Sequence, residues 1–177
     1  MAINNQHRGF TLLIAVIFMT VMLSFGLALG SLGYKQITLA STATQSQYAF
    51  YAADAGLECA LYADQQSNPL LFTMPASDPV AAGIPVPAIT CNGDSSPYAS
   101  SQIWNIGQPW IIKETLDVDT NRCAEVSIYK YTNPITVNTG NGTILVATYI
   151  FSQGYDVACS AVGASTRAVS RGQYIYY

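Results

Sequence analysis

The chain has 177 residues, half of them hydrophobic and only 10% charged, with a formal net charge of −3. Its seven Lys and Arg residues stand singly, which excludes the basic stripe of a nucleic-acid binder. The single histidine, His7, leaves no imidazole pair for a metal site and few means of activating a nucleophile, so neither an enzyme nor a cofactor or metal site is expected.

The first element is an uncharged run of 23 residues, 10–32, between Arg8 and Lys35. As a helix rising ~1.5 Å per residue it covers about 35 Å, enough for the ~30 Å hydrocarbon core of a bilayer. Nine residues ending His7-Arg8-Gly9 precede it. A secretory signal places its apolar segment first and the small-residue cut behind it. Here the small residue, Gly9, stands in front, so a cut between Gly9 and Phe10 would leave the hydrophobic helix on the protein. Arg8 is expected to hold the short N-terminus in the cytoplasm, with everything after Lys35 outside. Gly26 and Gly30 form a G-x-x-x-G with Gly33 next on the same side, a surface that lets two helices approach closely in lipid.

The junction Arg8-Gly9-Phe10-Thr11-Leu12 resembles the class III signal of type IV pilins and pseudopilins. The resemblance implies a leader, residues 1–9, removed by a prepilin peptidase, with N-methylation of the new terminal residue Phe10. Cleavage would also remove His7. Pilins usually carry Glu at the fifth mature position, where it pairs with the terminal amine of a neighbouring subunit. Here that position is Ile14, which points to a minor, tip-located subunit or to a lineage that packs without the Glu.

No proline occurs before Pro69, so the helix is expected to continue past the membrane half (10–33) through an amphipathic half (34–66). Ile37, Ala40, Thr44, Tyr48, Tyr51, Ala55, Cys59 and Tyr62 recur at steps of three or four and form the expected packing stripe. Gln65-Gln66-Ser67-Asn68-Pro69 should end the helix. Ala49-Phe50-Tyr51-Ala52-Ala53-Asp54-Ala55-Gly56-Leu57-Glu58 is similar to a run found in a minor-pilin and pseudopilin subgroup.

Residues 67–177 are the expected β-rich head. Residues 69–100, rich in Pro, Ser and Gly, read as loop with one short extended piece at 88–91. Alternation predicts a strand with Trp110, Ile112, Leu116 and Val118 on one face, and another with Ala124, Val126 and Ile128. Residues 144–151, apolar on both faces, suit a central strand, and residues 168–177 can close the sheet. Asn141-Gly142 is a hairpin-turn signal, better explained so than as a glycosylation sequon, and Asn133-Pro134 marks a loop. Asp117-Val118-Asp119-Thr120-Asn121 matches half of a calcium loop but lacks its Gly and its closing Glu.

Cys59, Cys91, Cys123 and Cys159 show no zinc-like spacing, and an extracytoplasmic address makes them two disulfides. Spacing leaves three pairings open. Position along the expected elements favours Cys59–Cys91, pinning the loop to the helix, and Cys123–Cys159, joining parts of the sheet.

The expected fold class is therefore α+β, a long N-terminal helix packed on an antiparallel sheet of four to six strands. The implied function is a structural subunit of a type IV pilus or secretion pseudopilus. Its partners would be other pilin or pseudopilin subunits, the prepilin peptidase, the inner-membrane assembly platform and the membrane itself. It would be single-pass in the membrane before assembly and part of an envelope or extracellular filament after. The alternative is a permanently anchored surface adhesin or sensor.

Overall fold

A computed structural model describes residues 7–66, 72, 78–90, 98–105, 107–140 and 142–177. Helix α1 is His7–Gln65, followed by strands β1 (Ala99–Ile103), β2 (Trp110–Asp119), β3 (Arg122–Asn138), β4 (Thr143–Tyr155) and β5 (Ser170–Tyr176). The strands form one antiparallel sheet in the order β1-β2-β3-β4-β5. The fold class is α+β.

Two compact units divide the chain, residues 1–43 and 44–177. In the first, α1 is exposed along its length. Phe10, Leu12, Met19, Leu23 and Leu27 are each more than 60% exposed, which is tolerable only in an apolar medium or against other chains. The hydroxyls of Thr20, Ser24 and Ser31 donate to the carbonyls of Ile17, Thr20 and Ala28. Those polar groups are thereby satisfied inside the helix, as a lipid-facing segment requires. The stretch is long and apolar enough to cross a membrane.

In the second unit, the rest of α1 packs on the sheet. The core joins Ala60 and Ala63 of the helix to Trp110, Ile112 and Leu116 of β2, Val126 and Ile128 of β3, and Ile150 of β4. Phe72 and Ile89 close one side. The buried face of β2 is Trp110, Ile112, Glu114 and Leu116. Glu114 thus occupies a core position that apolar patterning passes over.

Residues 84–90 join no sheet, as expected of a loop, and Ile89 is buried in the core, while Cys91 lies outside the described residues. Two expectations change, at Asn133-Pro134 and at Ala99–Ile103. Asn133-Pro134 is not a free loop but an irregularity within β3, between Lys130 and Ile135 in the register with β4. A bulge there absorbs the N–H that proline lacks. Strand β1, whose residues Ala99, Ser100 and Ser101 carry no apolar alternation, pairs with β2 over Ala99↔Thr115 to Ile103↔Ile111.

Candidate functional site

Among the described side chains of the first unit, the site positions Phe10 and Ile14 are exposed on α1. Phe10 is 69% exposed and Ile14 50%. A Cβ added at Gly26, Gly30 or Gly33 would meet nothing within 4 Å. No packing among the described residues explains these glycines, and the smooth surface they leave is open to another helix. The side chains of His7 and Arg8 and the residues before them lie outside the described set, so the expected leader rests on sequence alone.

The helix–sheet seam reverses the expected stripe. Tyr48, Tyr51 and Tyr62 are exposed, and the buried residues are Ala49, Ala52, Ala53, Gly56, Ala60, Ala63 and Asp64. The tyrosine stripe and the alanine stripe share a helical period, and size decides between them. A Cβ on Gly56 would lie 2.7 Å from Cβ of Ala124 and 2.8 Å from Oγ of Ser152. One on Gly154 of β4 would lie 2.2 Å from both the Ala49 carbonyl oxygen and the Ala53 nitrogen. The helix backbone therefore touches the sheet backbone, and only Ala and Gly fit between them. The similarity run 49–58 contains the first half of this small-residue face. The signal was in the sequence as Ala49, Ala52, Ala53, Gly56, Ala60 and Ala63, masked by the larger side chains on the adjoining face.

A polar clamp closes the end of the seam. Lys130 Nζ donates to Asp64 Oδ2 at 2.6 Å and to Thr148 Oγ1 at 3.0 Å. The Tyr177 hydroxyl donates to the same Asp64 oxygen. Burial and this bond hold the Tyr177 phenol well above its usual range. Asp64 is 6% exposed, so its charge is compensated by Lys130 and by two donated hydrogen bonds. The Asp64 carboxylate joins the helix to β3 and to the residue after β5, and Lys130 carries the link on to β4.

Glu114 is different. It is 2% exposed, its Oε2 accepts the Ile89 N–H at 2.9 Å, and its Oε1 has no partner among the described residues. Burial raises its carboxyl to about 7, against a lowering by the Ile89 bond. It straps the segment 84–90 to the sheet.

The acidic turn after β2 is occupied by its own chain. Asp119 accepts the Asn121 N–H at 2.8 Å and Arg122 Nε at 2.6 Å, and the Arg122 bond holds its carboxyl below the usual range. The Arg122 guanidinium also sits 5.5 Å from the Tyr48 ring centroid. Among the described residues no group of three or more His, Cys, Asp or Glu is arranged to hold a metal ion.

Cys123 and Cys159 form the expected disulfide, with Cα atoms 4.8 Å apart. It ties β3 to the short helical turn at Cys159–Ala161. Cys59 is disulfide-bonded too, and its Sγ lies 3.8 Å from the Thr90 carbonyl oxygen, while the expected partner Cys91 lies outside the described residues.

No family model, curated protein or solved structure matches the chain. The likeness to pilins therefore stands on its residues and on its architecture. A long helix, apolar and exposed at its start and packed on an antiparallel sheet further on, is consistent with a pilin-like fold.

Proposed function

We propose that the chain is a pilin-like structural subunit, held in the membrane by residues 10–33, cut between Gly9 and Phe10, and assembled into a filament by helix packing. One observation carries the reading. A single helix, α1, is bare and apolar over its first half, and from Ala49 onward it is fastened to a sheet by a seam too tight for any residue larger than glycine at its closest points. Such a chain offers a helix to neighbours and a folded unit to the outside. Bare apolar surface of this extent needs lipid or other subunits to cover it.

The partners are other subunits of the same kind, a prepilin peptidase and an assembly platform, and the mechanism is packing and display without turnover. Ile14 in place of the usual Glu favours a scarce, tip-located subunit. The experiment is processing of Gly9→Val in the cell that makes the protein. A bulky residue at the cut should leave only full-length precursor in the membrane. Mature protein at the normal level from that variant would contradict the reading.

A further inference from the structure

Strands β3 and β4 run on past their neighbours. Strand β2 begins opposite Lys130, and the residue after β5, Tyr177, meets β4 at Thr148. Beyond these points Ile135, Thr136, Val137 and Asn138 pair only with Val146, Leu145, Ile144 and Thr143. This two-stranded ribbon has no further strand beside it among the described residues.

Its edges differ. The β3 edge is interrupted by Pro134, which has no N–H to offer. The β4 edge carries no such guard. Ala147 N and Thr148 N both donate to the Tyr177 carbonyl at 2.9 Å, a bulge that ends the pairing with β5. Backbone groups alternate along a strand, so with Ala147 turned outward, those of Leu145 and Thr143 point outward as well. The Thr139 N–H bond to Gly142 O fixes the same phase from the turn, since it directs Ile144 toward Val137. Natural edges are usually blunted by charge, proline or cover. Here the whole stretch 131–155 contains no charged residue, and Leu145 is 70% exposed. Beside the edge lies a groove of about 560 Å³ lined by Tyr131, Ile135, Val137, Val146, Tyr149 and Tyr176.

We infer that residues 143–146 of β4 are a docking edge for the same strand of a second copy of this chain, added antiparallel about a two-fold axis. Charge selects the occupant. An ionised side chain brought to this edge would be desolvated with no counter-charge in the stretch 131–155. The sequence Thr143-Ile144-Leu145-Val146 is itself uncharged, with three β-branched residues of its four, so it complements its own edge. An isologous pairing satisfies the outward groups of both copies at once and covers both Leu145 side chains. The association needs only two folded units of residues 44–177, so it stands whether or not the helices pack in a filament.

The test is thiol cross-linking of the full chain in its membrane, with the native cysteines left oxidised. Leu145→Cys treated with a short bifunctional thiol reagent should give a covalent dimer at least tenfold more readily than Lys113→Cys, an exposed position on β2. Adding Thr143→Pro, which removes one outward N–H, should abolish that dimer, and Thr143→Lys should do the same without changing the backbone. An unchanged far-UV spectrum in either variant shows that the fold is intact. Equal cross-linking at positions 145 and 113, a yield indifferent to both Thr143 variants, or a cross-link from position 145 only to a different protein would overturn the inference.

Discussion

Gly154 and Glu114 show how much of this molecule is decided by single atoms. At Gly154 the obstruction to a side chain is backbone on both sides, the Ala49 carbonyl and the Ala53 nitrogen, and neither can swing away. Gly154→Ala should therefore cost about 3 kcal/mol or more, the upper end of overpacking, read as a lowered unfolding midpoint in detergent. Glu114 should write itself into the pH dependence of stability. Its folded carboxyl titrates at about 7, above the ordinary 4.5, so between those values the folded chain binds the extra proton. Stability then falls as pH rises from about 4.5 through 7 and levels off above, by roughly 3 kcal/mol at most. Glu114→Gln keeps an acceptor for the Ile89 N–H and cannot ionise. Thermal unfolding between pH 5 and 8 should flatten in that variant, and an equal slope in both proteins would remove Glu114 as its source.

The elements differ in how openly the sequence announces them. The apolar run 10–32, the strand alternations of β2 and β3 and the end of α1 at Gln65 follow from period and proline alone. The packing face of α1 does not, because hydrophobicity favours tyrosine over alanine whereas a backbone-to-backbone seam demands the reverse. Strand β1 was illegible for a related reason. It lies at the sheet edge with almost no buried side chain, held by its ladder to β2 and by Gln102, which donates to Ile84 O at 2.7 Å and accepts from Trp110 Nε1 at 3.2 Å. Glu114 and Asp64, carboxylates at core positions, are legible only once their partners are known. The Cys123–Cys159 pairing followed from placing one cysteine at the start of a strand and the other just after another. That bond closes a loop across a separation of 36 residues, so replacing both cysteines by alanine should lower stability by about 4 kcal/mol in the loop-entropy account. A loss under 1 kcal/mol in denaturant unfolding would show that the reduced chain is already confined there.

At the scale of the whole molecule, a helix exposed over residues 10–33 belongs to a chain with a separate folded unit, and the role proposed for the first is assembly. Two consequences of the proposed assembly can be checked in a filament that contains the protein. If Ile14 marks an end subunit, immunogold label on the protein should decorate filament tips, and Ile14→Glu should let it enter the shaft. There the carboxylate would meet a terminal amine among apolar side chains, where opposite charges attract far more strongly than in water. Even labelling of the unaltered protein along the shaft would defeat the tip assignment and leave the subunit assignment standing. The measurement that bears most directly on the central claim is the mass of the intact N-terminal peptide from protein isolated out of the membrane. The account predicts a chain that begins at Phe10 and carries one added methyl group on its terminal nitrogen. A chain that still begins at Met1, or one cut behind the apolar run, would contradict it.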